Sequence, residues 1–184
     1  NQRIIEVQPS LKEGHIVLWE PKEYVHVEVR ENQEEMKMKQ QVNIKKLDDR
    51  AIIPTYGTAF SAGADLYACM DHAVTIAPGE TYLVHTGISA AIPEGYAGLI
   101  YARSGLATKK GLAPANKVGV IDADYRGEIM VALHNHSNQP AEIENGERIA
   151  QMVITPFLTA EFVETAELDE TERGAGGFGS TGRI

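Results

Sequence analysis

Short β-branched and apolar runs, recurring at about ten-residue spacing, organise the chain from Val42 onward. Val42–Ile44, Ala51–Ile53, Ala73–Ile76, Tyr82–Val84, Ala97–Ile100, Gly119–Ile121, Ile129–Leu133 and Arg148–Ile154 each read as strand. Pro-Gly, Pro-Glu-Gly and Asn-Gly signals fall between them. Ala62–Ala68 adds a small, apolar strand that carries one carboxylate, Asp65. The pattern predicts an all-β sandwich or jelly roll rather than alternating βα units, and no repeat marks a solenoid. One stretch carries helix signals: Leu106–Lys110, between Ser104 as N-cap and Gly111 at C′. Residues 1–41 read as an extension. His15–Trp19 and Tyr24–Val29 predict a hairpin, and the charged run Glu31–Gln41 suits a linker or short helix.

Composition narrows the class. The chain has 184 residues, 43% hydrophobic and 23% charged, which fits one soluble globular domain with an appendage. No apolar run approaches the ~18 residues of a membrane span, and the first residues lack a signal-peptide profile. Cys69 is the single cysteine, so no internal disulfide is expected; the natural compartment is a reducing cytoplasm, with Cys69 a small core hydrophobe. A net charge of −9 argues against a general nucleic-acid binder. The middle is nevertheless locally basic, with Arg103, Lys109, Lys110, Lys117 and Arg126, and that suits a small anionic ligand.

Five stretches carry candidate chemistry. Asp65 costs free energy in its apolar strand unless hydrogen-bonded or near a cation, and it caps a neighbouring turn as readily as it serves a site. Arg103, Ser104 and Gly105 stand at the mouth of the helix, where free N–H groups, a guanidinium and a hydroxyl suit phosphate oxygens. Gly119–Glu128 leaves a strand, presents Asp122, Asp124, Tyr125 and Arg126, and returns, with Gly127 supplying backbone freedom; taken alone it is also an ordinary polar turn. Just before it, Asn116 offers a donor and an acceptor. In Asn145–Ile154, alternation puts Gln151 with Ile149 and Val153, and Arg148 on the opposite face. The tail Arg173–Gly182 is glycine-rich; with no leading strand and no following helix it is neither a dinucleotide fingerprint nor a P-loop. Its N–H groups, Ser180 and Thr181 can instead meet phosphates, with Phe178 over a base, so a tail ordered by ligand is expected. His134 and His136 read as surface residues, and no Cys/His metal constellation exists in the sequence.

Read together, AGADLYA, ARSGLA, GVIDADYRGE, GERIAQM and RGAGGFGSTG occur in the order of the five motifs of the homotrimeric dUTPases, which the chain resembles from about Val42 to Thr181. RSGLA and IDADYRG set it apart from the dCTP deaminases of the same fold. The resemblance implies a distorted jelly-roll, β-clip type barrel with one short helix: an extension at 1–41, a β-domain at 42–160 and a flexible arm at 161–184. It implies that Asp122 activates a water that attacks the α-phosphate of dUTP, giving dUMP and pyrophosphate. Mg²⁺ would be held by the triphosphate, with Asp65 acting through its waters. Arg103, Ser104, Gly105 and Gln151 would bind phosphates, Asn116 would read uracil, and Tyr125 would pack under the deoxyribose. Arg173, Phe178, Gly179, Ser180 and Thr181 would close over a site shared by three subunits. The alternatives are a nucleotide-sensing or protein-binding module on the same scaffold, docking a partner through residues 1–41, and a dCTP deaminase-like enzyme.

Overall fold

In the computed structural model, residues 15–20, 23–28 and 40–177 are described. The chain divides into two units, Asn1–Gln41 and Val42–Ile184. In the first, β1 (His15–Glu20) and β2 (Glu23–Glu28) form an antiparallel hairpin whose register runs from His15↔Glu28 to Glu20↔Glu23.

The second unit continues with β3 (Asn43–Lys46), β4 (Thr55–Tyr56), β5 (Ala64–Tyr67), β6 (Val74–Ile76), β7 (Thr81–His85), β8 (Ile88–Ala91) and β9 (Tyr96–Tyr101). After the helix α1 (Ser104–Lys110) come β10 (Leu112–Pro114), β11 (Gly119–Ile121), β12 (Met130–Asn135), β13 (Ala141–Ile143) and β14 (Arg148–Pro156). All pairings are antiparallel. The largest sheet has the order β11-β9-β14-β5-β4, a second is β10-β12-β7, and β13-β6 and β3-β8 form pairs. The all-β reading with one helix holds among the described residues. The barrel does not: strands this short pass from one sheet to the next through turns, and none of the sheets closes on itself.

The core of the second unit is filled from each of its four sheets, by Leu66, Ile76, Val84, Ile88, Leu112, Leu133, Ile143 and Ile149, with Ile129 just before β12. β12 shows why its sequence makes a strand: Val131, Leu133 and Asn135 point inward while Met130, Ala132 and His134 are half-buried. Asn135 is fully buried yet satisfied, its Nδ2 donating to the Ile76 and Gln139 carbonyls and its Oδ1 accepting from Ser137. Cys69 lies in the core as expected, and burial pushes its thiol pKa up.

Several sequence expectations shift. Ala51–Ile53 is not a strand: Ala51 is buried and its N–H closes a turn on Asp48, Ile52 and Ile53 are exposed, and pairing begins at Thr55. Three strands lacked a hydrophobic signature. β8 is Ile-Ser-Ala-Ala, β10 ends in Pro114 on a sheet edge where a missing N–H is tolerated, and β13 is three residues long.

One turn fixes much of the second unit. Gly87, between β7 and β8, has φ +66°, and a Cβ there would lie 2.9 Å from both Ala51 Cβ and Cys69 Sγ. Its carbonyl accepts the Leu47 N–H at 2.7 Å. Gly87→Ala is therefore expected to cost about 3 kcal/mol through strain and overpacking together, read as a lower denaturant midpoint. A midpoint equal to that of the unmodified protein would contradict this reading of the turn.

Candidate active site

Asp65 sits in β5 with 8% of its surface exposed. Its carboxylate is met by two cations: Arg103 Nε donates to Oδ1 at 2.7 Å and Arg148 Nη1 to Oδ2 at 3.2 Å. Arg103 also reaches the Arg148 carbonyl at 3.4 Å. The three side chains form one wall of a cavity of about 470 Å³, together with Ser104 and Gly105 of the helix mouth, Gln151, and the loop residues Gly57, Ser61 and Gly63. Asp65 is the one carboxylate on that wall.

The helix supports this arrangement in a way the sequence only partly indicates. Ser104 was expected to cap it, but Ser104 is its first residue, and the cap position belongs to Arg103, in extended backbone geometry and without a side-chain cap bond. The start of α1 thus has no side-chain cap, and its first residues, Ser104 and Gly105, line the cavity. Lys109 and Lys110 occupy the last turn, Leu106 is the buried anchor, and Gly111 ends the helix at φ +69° with its N–H on the Ala107 carbonyl. Lys110 is not part of a free basic patch. Its ammonium is tied to Glu147 Oε1 and the Glu142 carbonyl, both at 2.7 Å.

Gln151 and Arg148 meet in the same cavity, which simple alternation along β14 excludes. A register shift between Arg148 and Ala150 breaks the alternation, so Ile149 and Ala150 are both buried while Arg148 turns to the cavity. Arg148 is the residue that sequence reasoning missed. Gln151 donates from Nε2 to the Ala102 carbonyl at 2.9 Å, and a Cβ on Gly63 would lie 2.7 Å from its Oε1. Gly63 is glycine because Gln151 needs that space.

The hairpin between β11 and β12 builds a second cavity, of about 220 Å³. Asp122, Tyr125 and Glu128 line it together with Leu83, Val120, Ile121 and Met130. Asp122 is exposed, and its carbonyl accepts the Tyr125 N–H at 3.2 Å to close the turn. Tyr125 lies in this loop, 40% exposed, and donates its hydroxyl to the Glu128 carbonyl at 2.9 Å. Gly127 has a spatial role instead of the conformational one expected: its φ is not positive, but a Cβ would lie 2.6 Å from Tyr125 Cζ. Arg126 braces the loop from within by donating to the Ala123 and Tyr125 carbonyls.

The remaining candidates lie apart. Asn116 is exposed in the turn before β11, its carbonyl accepting the Val118 N–H, and it lines neither cavity. Arg173 is exposed in a turn of the arm, with Nε on the Gly176 carbonyl at 2.9 Å. Phe178, Gly179, Ser180 and Thr181 fall outside the described residues. His134 is half-buried and bonded to Thr81 Oγ1, edge-on to His136 at 4.4 Å between ring centroids. Loss of hydration pushes the His136 pKa down, with the neighbouring His134 and Lys117 acting the same way. Among the described residues no group of three or more His, Cys, Asp or Glu side chains could hold a metal ion, and no helix is long and apolar enough to cross a membrane.

A cationic, hydroxyl- and amide-lined cavity, with a separate hairpin presenting a carboxylate and a phenol, suits an all-β protein that handles a small phosphorylated ligand. The comparisons give the family. The dUTPase family model matches residues 49–182, and the chain belongs to the dUTPase family. The deoxyuridine 5'-triphosphate nucleotidohydrolase of Nautilia profundicola is 54% identical over 142 residues, covering 77% of this chain and 99% of that protein. The corresponding protein of Hydrogenobaculum sp. is 54% identical over 139 residues, covering 76% and 96%. Among solved structures, the dUTPase of Staphylococcus bacteriophage 80alpha with dUPNHPP superposes with a TM-score of 0.72 at 30% identity, over 79% of this chain and all of that one. A mutant dUTPase of phage phi11 of S. aureus, described with a structural Mg(II) ion, superposes at 0.62 with 25% identity over 70% of this chain and 98% of its own.

Removing the shared anion should release both arginines. Asp65→Ala is expected to cost about 3 kcal/mol of stability, because two guanidiniums lose their partner in a partly buried setting. Equilibrium unfolding measures this, and a loss below about 1 kcal/mol, the scale of an exposed pair, would show that the cluster is only a surface ion pair.

Proposed function

We propose that this chain, a hydrolase of dUTP, converts it to dUMP and pyrophosphate with Asp122 as the activating base. The observation that carries the reading is Asp122 held in an exposed, bonded turn beside Tyr125, in a dUTPase-family chain that also carries the Asp65–Arg103–Arg148 cavity. An ionised carboxylate takes a proton from water as the water oxygen bonds to the α-phosphorus. The bond from that phosphorus to the bridging oxygen breaks, and pyrophosphate leaves with the electron pair. Arg103, Ser104, Gly105 and Gln151 bind the phosphates and stabilise the charge that develops on them. Asn116 reads the uracil edge, and Tyr125 packs under the deoxyribose.

Mg²⁺ carried by the triphosphate would offset part of its charge. Asp65, the one carboxylate among the described residues lining the cavity, would hold that ion through its water, a reading supported by the hard oxygen donor it offers.

The working unit is a homotrimer. No described residue lines both cavities, which supports a site whose Asp122 and phosphate-binding groups come from different chains. Leu83 on β7 and Val120 on β11, at 48% and 60% exposure, lie on sheet-edge strands and offer apolar surface to a second copy. A site built from one copy's hairpin and another's arginine cavity, closed by a third copy's arm through Arg173 and Phe178–Thr181, accounts for this division. The protein acts in the cytoplasm. Residues 1–41 precede the family match and form an extension outside the dUTP chemistry.

The reaction is tested by incubating the protein with Mg²⁺ and, separately, dUTP, dCTP, dTTP and UTP. Release of dUMP and pyrophosphate from dUTP alone is expected, with Asp122→Asn lowering kcat by about a thousandfold. Turnover of dCTP by deamination, or an active Asp122→Asn variant, would overturn the reading. Truncation after Arg173 is expected to reduce activity far more than stability, since closing an arm over substrate contributes little to the core. Removal of residues 1–41 is expected to leave kcat/KM unchanged, and equal losses in the two truncations would contradict the division of labour.

A further inference from the structure

Four hydrogen bonds tie the pair of residues that leaves the Asp122 hairpin to the turn between β7 and β8. Glu128 Oε1 accepts the Gly87 N–H at 2.8 Å, and Glu128 Oε2 accepts from His85 Nδ1 at 2.9 Å. Facing a carboxylate, that imidazole nitrogen is the donor. Thr86 Oγ1 donates to the Ile129 carbonyl, and the Ile129 N–H donates to the Ile88 carbonyl at 2.9 Å. The receiving turn is itself immobilised, because Gly87 is packed against Ala51 and Cys69 and the His85 carbonyl accepts the Cys69 N–H at 2.7 Å.

The consequence runs outward. Tyr125 donates its hydroxyl to the main-chain carbonyl of Glu128, so the side chain that anchors Glu128 also fixes where the phenol ends. Its backbone N–H is in turn bonded to the Asp122 carbonyl. The Glu128 side chain is 22% exposed and lines the same cavity as Asp122 and Tyr125, yet both its oxygens are engaged away from any ligand. A carboxylate with one N–H and one imidazole as partners, at the exit of a loop whose entry is held by β11–β9 pairing, acts as a clasp on that loop.

We propose that Glu128 is a positioning residue: clasped by His85 and the Gly87 N–H, it sets the plane of Tyr125 and thereby the discrimination between dUTP and UTP. The inference rests on the placement of Tyr125 under the sugar given above. An added 2′-hydroxyl is rejected by crowding only while the ring is held in place, so a loosened ring admits it. The same loosening costs productive orientation at Asp122.

The test compares kcat and KM for dUTP and UTP in the full chain and in Glu128→Ala, Glu128→Gln, His85→Ala and His85→Asn. Glu128→Ala is expected to raise the UTP-to-dUTP ratio of kcat/KM about tenfold. Glu128→Gln, which keeps one acceptor, falls between it and the unmodified protein. His85→Asn, which keeps a donor near Nδ1, stays closer to the unmodified protein than His85→Ala does. Parallel loss for both substrates, with the ratio unchanged, would make Glu128 a structural residue only and overturn the proposal. NMR shifts of the Tyr125 ring in ligand-free protein give a readout independent of turnover: they are expected to move in Glu128→Ala, and unchanged shifts would also overturn it. Absence of dUTP turnover in the unmodified protein would instead remove the functional reading, while the ring shifts still decide whether Glu128 holds Tyr125.

Discussion

A carboxylate in a buried strand has to be met by positive charge, and in this protein that requirement shapes the arginine-lined cavity. Asp65 is pinned in β5 between Leu66 and Ala64 and shows only a small part of its surface to the cavity. Two arginines come to it, one from the cap position of α1 and one from the irregular start of β14. Desolvating these charges is unfavourable, and two charge-assisted bonds, a short one from Arg103 at 2.7 Å and a longer one from Arg148 at 3.2 Å, are what offset it. The arginines are thus held by an anion that is not the ligand, with their remaining N–H groups free for one that is. Pre-organised cations of this kind need little rearrangement when a polyphosphate arrives.

The hairpin is held by a different principle. It carries no buried charge of its own, and its turn is closed by backbone bonds and by an aromatic ring folded over Gly127. Rigidity is imported from the β7–β8 turn through Glu128 and Ile129. The molecule therefore braces its arginine cavity and its Asp122 hairpin separately, the two elements to which the proposed mechanism assigns phosphate binding and water activation. A division of that kind lets sites be assembled between copies, each contributing a finished half.

Much of this was legible in the sequence, for definable reasons. Alternating runs such as Met130–Asn135 and the punctuated helix Ser104–Lys110 announce themselves because side-chain periodicity and capping chemistry are local. Asp65 stood out as an anion among small apolar residues, and motif order gave the family. What escaped depended on distant partners. β8 and β10 are strands because β3 and β12 pair with them, not because their residues favour it. Arg148 reaches the cavity only because a bulge resets the face of β14, and a bulge leaves no signature in a strand of Ile, Ala and Gln. Gly63 and Gly127 are set by the volumes of Gln151 and Tyr125, a reason visible only once those side chains are placed.

The central claim is that a complete site draws its catalytic carboxylate and its phosphate-binding arginine from different copies of the chain. Mixing two individually inactive proteins, Asp122→Asn and Arg103→Ala, under conditions that exchange subunits tests it directly. Mixed assemblies place an intact hairpin opposite an intact arginine cavity in a fraction of sites, so dUTP hydrolysis should reappear on mixing. Continued inactivity, with exchange of subunits demonstrated, would mean that each chain completes its own site and that the two cavities serve one molecule alone.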